Sequence, residues 1–302
     1  LCLIHWSCWA LKSVGVDCDT RWVYLAGSPR KSSKNWMQSS GHCHENSAMM
    51  QQAKDLLEEG KALKALLGTL SVDQLTNTTN FKNWTVNKVI QHLHGSDRMA
   101  VLALKDPERF KRVISEPGQV GATMNPQQTG IQLVQDWWQY FEEMAELLGQ
   151  SDPKHRLPWF GPDMGVMMFT TARQMETWAH GQEIFDLFGV VRVNSDRIRN
   201  IAVIGVKTFA WTFVNRGQQP PGPAPYVALT APSGDVWSFN EYSEENFVEG
   251  SAVEFCHVVT QGRHIQDVNL TVCGDVAHEW MAIAQCFAGP PENPPEPGSR
   301  LP

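Results

Sequence analysis

No apolar run in the 302-residue chain approaches the ~20 residues that a helix needs to cross a bilayer. Positive charge is not in excess either. The 25 Lys and Arg stand against 32 Asp and Glu, a formal net charge of -7, so nothing draws the chain toward phosphate backbones and neither nucleic acid nor a membrane is an expected partner. Cysteine is sparse. Four of the seven (Cys2, Cys8, Cys18, Cys43) fall within the first 48 residues, and the remaining Cys256, Cys273 and Cys286 are odd in number and scattered. This pattern reads as reduced thiols in an intracellular compartment. The opening LCLIHWSCWALK has no basic segment before it and no clear small-residue cleavage site after it. The sequons at Asn77, Asn83 and Asn269 are accordingly read as chance matches, and a soluble, cytoplasmic protein is expected. No internal repeat is visible.

What is present is a composition suited to real cores: 42% hydrophobic residues, 12 Trp and only 19% charged residues, enough for one large or two ordinary domains. Residues 1–48 fit poorly with the rest and are expected to form an irregular extension, the domain proper beginning near Met49. HCHE at 42–45 is locally metal-like but has no second cluster at zinc-finger spacing. Helical periodicity predicts helices over residues 50–70, 85–104, 131–148 and 165–189, with a long Pro/Gly/Gln-rich loop at 106–130 and a second loop at 149–165. One further helix is expected at 196–216. Strands at 226–230 and 235–239 would join through the turn at 231–234, followed by helices near 251–262 and 275–287. The expected layout is mainly α: a four-helix bundle over 49–190, a small α+β domain over 191–288, and a disordered Pro-rich tail over 289–302.

The segment 165–189, GVMMFTTARQMETWAHGQEIFDLFG, carries the strongest chemical signal. Glu176 and His180 stand four residues apart and leave the same helix face, which continues through Phe169, Ala172, Arg173, Ile184 and Leu187. Burying an unpaired carboxylate or imidazole costs several kcal/mol, and a divalent cation is one partner that removes the cost. On spacing alone, a Glu–His hydrogen bond on a solvated face is the commoner outcome. Upstream, WTVNKVIQHLHGSDRMAVLAL (84–104) reads as a helix capped by Thr85, with His92 and His94 in its second turn. The two cannot face the same way in a regular helix, so at most one is a ligand. One of them with Glu176 and His180 completes a three-ligand set that leaves a coordination position open.

The order of Trp-Thr, a His seven residues after the Thr, and a later helix with Glu-x-x-x-His resembles the DinB-like metal-binding superfamily. The likeness is to its branch of mycothiol-dependent maleylpyruvate isomerases and thiol S-transferases. It is carried by LPWFGPDM (157–164), TARQMETWAHGQEIFDLFGV (171–190), VALTAPSGDVWSF (227–239), FCHVVTQGRHIQD (255–267) and AIAQCFAGPP (282–291), within residues 50–291. The resemblance implies a DinB-like four-helix bundle followed by a small α+β domain. It also implies metal ligands His92, Glu176 and His180, with His92 preferred over His94 because it precedes Leu93 in the family's His-Leu pair.

Other residues are candidates around that set. Trp159 and Phe160, just before the Glu176/His180 helix, are expected to wall a cofactor pocket. Arg263 and His264 in VTQGRH are expected to reach back to the bundle mouth and hold an anionic substrate group, since the guanidinium fork suits carboxylates; a helix-end charge facing the macrodipole explains them equally well. Arg173 reads as an outer-face ion pair more readily than as a group supporting the ligands, Glu183 as a carboxylate that replaces or orients a ligand, and Trp137 and Trp138 as core aromatics, substrate stacking being the rarer role. The resulting expectation is a divalent-metal-dependent enzyme, with zinc the foremost candidate. It would use a low-molecular-weight thiol such as mycothiol or glutathione on a small electrophilic, anionic substrate, as transferase or cis–trans isomerase. A metal-assisted hydrolase or lyase and a non-catalytic, metal-stabilised binding protein are the alternatives, and monomer and homodimer both stay open.

Overall fold

A computed structural model describes residues 49–124, 127–161 and 163–300. The expected extension at 1–48, with its HCHE run and four cysteines, lies outside the described residues. Four long helices form the bundle: α1 (Gln51–Leu67), α2 (Val86–Lys105), α5 (Gly130–Gln150) and α6 (Val166–Leu187). Their apolar stripes meet in one core that includes Leu56, Leu63, Ile90, Leu93, Trp137, Phe141, Phe169 and Ile184. Thr85 caps α2 as expected, its hydroxyl accepting from the Lys88 amide at 3.2 Å.

The stretch expected as a loop between α2 and α5 instead carries two short helices, α3 (Pro107–Ser115) and α4 (Pro117–Met124). Pro107 is not a breaker here. It sits in the first turn, where its missing N–H is not needed, and the Asp106 side chain caps the helix by accepting from the Arg109 amide at 2.9 Å. Phe110 and Val113 turn inward to a small cluster with Met99 and Ala103 of α2. The second expected loop holds a two-residue hairpin, β1 (Arg156–Leu157) against β2 (Met164–Gly165).

The C-terminal half is the expected small α+β region, with more strand than the periodicity showed. The helix expected over 196–216 is divided into α7 (Arg199–Lys207) and α8 (Phe209–Val214). At the division the Thr208 hydroxyl donates back to the carbonyls of Ile204 and Gly205 at 2.8 and 2.9 Å, a local bond that competes with the regular ladder. Strands β3 (Tyr226–Thr230) and β4 (Val236–Phe239) pair as expected, and β5 (Phe247–Ser251) and β6 (Thr271–Cys273) extend the sheet to the order β4-β3-β5-β6, with β3 and β5 parallel. Helices α9 (Ala252–Val259) and α10 (Asp275–Ile283) pack on it around Phe255, Trp280 and Met281.

Residues 289–300, expected to be disordered, are tied down. The Glu292 amide donates to the Gln285 side chain, its carbonyl accepts from Gln261 Nε2, its carboxylate pairs with Lys82 at 2.8 Å, and the Gly298 amide donates to Asp267. Arg173, expected on the outer face, is buried and paired with Asp97 at 2.8 Å. No helix among the described residues is long and apolar enough to cross a membrane.

The bundle's helices approach closely where Gly60 faces Phe141: a Cβ at Gly60 would stand 2.0 Å from the ring. Gly60→Ala is expected to destabilise the fold by about 1–3 kcal/mol by forcing α1 from α5, read as a lowered midpoint in urea at unchanged slope. A pH dependence follows from His257, buried against Trp178 with ring centroids 4.7 Å apart and Nδ1 unpartnered. Burial, with Arg263 and Arg192 nearby, holds His257 down to about 3. The unfolded chain therefore binds the proton first. The stability this neutral imidazole gives is complete above about pH 6.5 and is lost as pH falls toward 3. His257→Gln is expected to flatten the loss of stability between pH 6.5 and 4 in urea titrations, and an unchanged slope would refute the assignment.

Candidate metal centre

Three donors converge in the bundle. His92 is on α2, and Glu176 and His180 are one turn apart on α6. His92 Nε2 lies 3.2 Å from Glu176 Oε2, His180 Nε2 lies 3.6 Å from the same oxygen, and one donor atom from each of the three residues falls within 4.8 Å of the others. The His92 and Glu176 side chains retain 28% and 24% exposure, so the set is reachable from outside. His94 is turned away, buried against Tyr140 with its Nδ1 unpartnered. The α-helical 100° per residue thus separates the two histidines, as their spacing requires.

The charges around the set are uneven. Burial lowers the His92 pKa, and nearby His180 adds to the effect, whereas at His180 the lowering by burial is outweighed by the Glu183 carboxylate, which raises it. Burial alone would raise the Glu176 carboxyl; the His92 hydrogen bond and the charges of His180, His92 and Arg173 overcome it and hold the group at about 2. Glu176 is therefore an anion at neutral pH. Glu183 Oε1 accepts from His180 Nδ1 at 3.0 Å. A proton on Nδ1, the tautomer that a carboxylate partner there favours, would leave the His180 Nε2 lone pair facing Glu176 and His92. Two imidazoles and one carboxylate, with a second carboxylate orienting one imidazole, are the donor chemistry a divalent cation of the zinc class takes, and the residues present fit it.

An aromatic wall stands beside the donors, supplied by the turn between α1 and α2. The Phe81 ring meets His180 edge-on at 5.1 Å, and the Trp84 ring stacks near His180 at 6.0 Å and lies 5.5 Å from His92. The turn is tight: Lys82 and Asn83 adopt left-handed φ of 49° and 54°, the Trp84 amide donates to the Phe81 carbonyl, and Thr79 bonds the Trp84 carbonyl through both its amide and its hydroxyl. Strained backbone of this kind recurs next to functional groups. Periodicity cannot find these residues because they lie outside any helix; the Trp-Thr pair at the α2 start is the one signal that pointed to them.

Trp159 stacks on Phe110 and meets Phe169 edge-on, and Phe160 meets Phe110. They join the α3 cluster to the start of α6, and neither lines the cavity over the outer turns of α6, which none of His92, Glu176 and His180 lines either. That cavity, of about 260 Å³, is lined by Phe81, Glu183, Asp186 and Arg263 among others. Arg263 thus does reach α6, pairing with Asp186 Oδ2 at 2.7 Å. His264 does not line the cavity: its Nδ1 accepts from the Gln266 amide at the start of a 3-10 turn.

Asp97 supports the set from below. Its Oδ1 accepts from Arg173 Nε and Nη2 at 3.2 and 2.8 Å, and its Oδ2 accepts from Trp137 Nε1 at 3.2 Å, so α2, α5 and α6 meet at one carboxylate. Burial raises Asp97 to about 6 against the pull of Arg173. Asp97→Leu would leave the Arg173 guanidinium buried without its ion partner, and a loss of roughly 3–5 kcal/mol is expected. Arg173→Met/Asp97→Leu together should recover much of it, and a double-variant loss equal to the sum of the two single losses, measured by urea denaturation, would show that the pair is not coupled.

Comparison with known proteins matches residues 56–185 to the mycothiol maleylpyruvate isomerase N-terminal domain. These residues hold most of α1, all of α2 and α5, and α6 to its last turn. Two uncharacterised proteins of Mycobacterium tuberculosis, from strains CDC 1551 / Oshkosh and ATCC 25618 / H37Rv, are each 35% identical over 244 residues, 78% of this chain and 95% of theirs. Among solved structures, a mycothiol-dependent maleylpyruvate isomerase covers 69% of this chain and 87% of its own at 12% identity and a TM-score of 0.45, and a histidine-to-alanine variant of it aligns at 11% and 0.44. Relatives aligned over nearly their whole length, and a family model that spans all three convergent donors, place this chain in the mycothiol maleylpyruvate isomerase branch of the DinB-like superfamily.

Proposed function

We propose that the chain is an enzyme that uses a divalent cation and a low-molecular-weight thiol on a small electrophilic, anionic substrate, as a cis–trans isomerase or an S-transferase. The observation that carries this reading is the convergence of His92, Glu176 and His180 within 4.8 Å, backed by the likeness of the bundle to the mycothiol maleylpyruvate isomerase N-terminal domain. When bound, the cation would lower the pKa of a thiol and so supply a nucleophile at neutral pH.

The chain's own groups divide the work. His92 Nε2, His180 Nε2 and one Glu176 oxygen would hold the cation, three protein ligands being the number that leaves a position open. Glu183 keeps the proton on His180 Nδ1 and so keeps Nε2 available. Phe81 and Trp84 shield the two imidazoles and exclude water from that side. Arg263 lies in the cavity wall, where a carboxylate of the substrate would compete with Asp186 for its fork. Of the chain's own thiols, the buried Cys256 and Cys286 are poor nucleophiles. Burial pushes both thiols well above their ordinary pKa.

Elemental analysis of protein purified without a histidine tag is expected to find about one divalent ion per chain, as a three-ligand site requires. His180→Ala is expected to abolish it, and Glu183→Gln to weaken metal affinity roughly 10–100-fold. Mass spectrometry of a thiol and an activated alkene with the parent protein should then show a thioether or the geometric isomer, absent with His180→Ala. Protein free of stoichiometric metal after growth in zinc-supplemented medium would overturn the reading.

A further inference from the structure

The strap after α10, residues 287–300, reaches the Phe81 turn without burying a residue of its own. Its two parts are held in different ways. The first ends in a clamp of amides. Gln285 Oε1 accepts from the Glu292 amide at 2.9 Å, Gln285 Nε2 donates to the Pro290 carbonyl at 3.1 Å, and Gln261 Nε2 donates to the Glu292 carbonyl at 2.9 Å. Gln261 and Gln285 are themselves buried, so releasing this part would leave two interior amides short of partners, which is costly.

The second part, residues 293–300, has no such seat. Its fastenings lie at exposed positions: the Asn293 side chain accepts from Arg216 Nη1 at 3.1 Å, and the Gly298 amide donates to Asp267 Oδ1 at 2.9 Å. Water replaces bonds of this kind at little cost. At the far end the Arg300 guanidinium rests over the Phe81 ring, 4.6 Å from the centroid, with Nη1 donating to the Gln261 carbonyl at 3.1 Å. Glu183 and Glu292 attract its charge and Arg263 repels it. Arg300 lines the cavity over the outer turns of α6 together with Phe81, Glu183 and Arg263, so its position decides how far that cavity is open. Pro294, Pro295 and Pro297 fix φ along the arm, and Gly298 turns it back with a left-handed φ of 74°. An arm this rich in proline is a semi-rigid spacer and moves as one piece.

We propose that residues 293–300 are a latch that swings on the Glu292 clamp and opens and closes the cavity over the outer turns of α6, with Arg300 as the part that fills its mouth. The contrast between the two parts carries this. Opening gives up a few polar contacts and a cation over a ring but exposes no core side chain, so it is a local event that needs far less free energy than unfolding the domain. The clamp meanwhile keeps the arm beside its seat, and closing again needs no search. As a gate for a reactant the latch rests on the function proposed above; as a moving arm it is read without metal or turnover.

Trypsin can cut the Arg300–Leu301 bond only when the guanidinium has left Phe81 for the protease, so the rate of that cut, followed by mass spectrometry of the full chain, counts the open latch. Asp267→Ala removes the acceptor of the Gly298 amide and is expected to speed the cut about tenfold at an unchanged thermal midpoint. Ala179 stands in the cavity wall. A bulky fluorescein maleimide should label the thiol of Ala179→Cys about tenfold faster when Asp267→Ala is added, and equally fast when Arg300→Ala is added instead. Leu187→Cys, also in the wall, serves as the second position should Ala179→Cys not fold. A cut indifferent to Asp267→Ala would overturn the latch. So would a faster cut with unchanged labelling, which describes a loose end and no gate. Both rates raised in a chain that takes up no metal would keep the latch and lose the enzyme reading, and stoichiometric metal in a chain whose arm stays fixed would do the reverse.

Discussion

A charge placed in the middle of the bundle sets its register. Asp97 lies fully buried on α2 and accepts hydrogen bonds from Arg173 on α6 and Trp137 on α5. A buried ion pair is weak evidence of net stability, but it tolerates few arrangements, because every misaligned alternative leaves a charge unpaired in the core. His92 precedes Asp97 by five residues and Glu176 follows Arg173 by three, so the two helices run antiparallel at the crossing. The alignment that satisfies Asp97 and Arg173 is therefore the one that brings His92 opposite Glu176. The donor set inherits its geometry from a contact that no ligand touches.

A second buried network fixes the C-terminal half to the same bundle. Glu59, inside α1, pairs with both Arg192 and Arg197 just after α6, while Asn200 of α7 bridges Asp55 of α1 and Gln174 of α6. The turn after α9 meets the outer turns of α6 separately, through Arg263 and Asp186. The strap then runs from α10 to Phe81 and closes the remaining side. The donor set and the cavity share one side chain, Glu183, which bonds His180 on one oxygen and faces the cavity with its residue's other side.

Much of this was legible residue by residue. The capping Thr85, the period of α2 and α6, the shared face of Glu176 and His180, and the β3–β4 hairpin are local features, set by backbone geometry within one or two turns. Other features misled for equally local reasons. Pro107 looks like a breaker unless the Asp106 cap is recognised, and Thr208 gives no warning that its hydroxyl will divide a helix. The Pro-rich run after residue 289 has the composition of a disordered tail, and only its partners, Lys82, Gln261 and Asp267, hold it.

The sequence by itself determined the long helices and two of the three donors, because a carboxylate and an imidazole four residues apart on a helix must share a face. Whether that face met a third ligand, and which of two adjacent histidines supplied it, was decided by tertiary structure, through the single register in which Asp97 finds Arg173. Phe81, Trp84 and Arg300 belong to the same class of fact. They come from a turn and a strap with no period of their own, and their place beside His180 exists only once segments distant in the chain have closed around it.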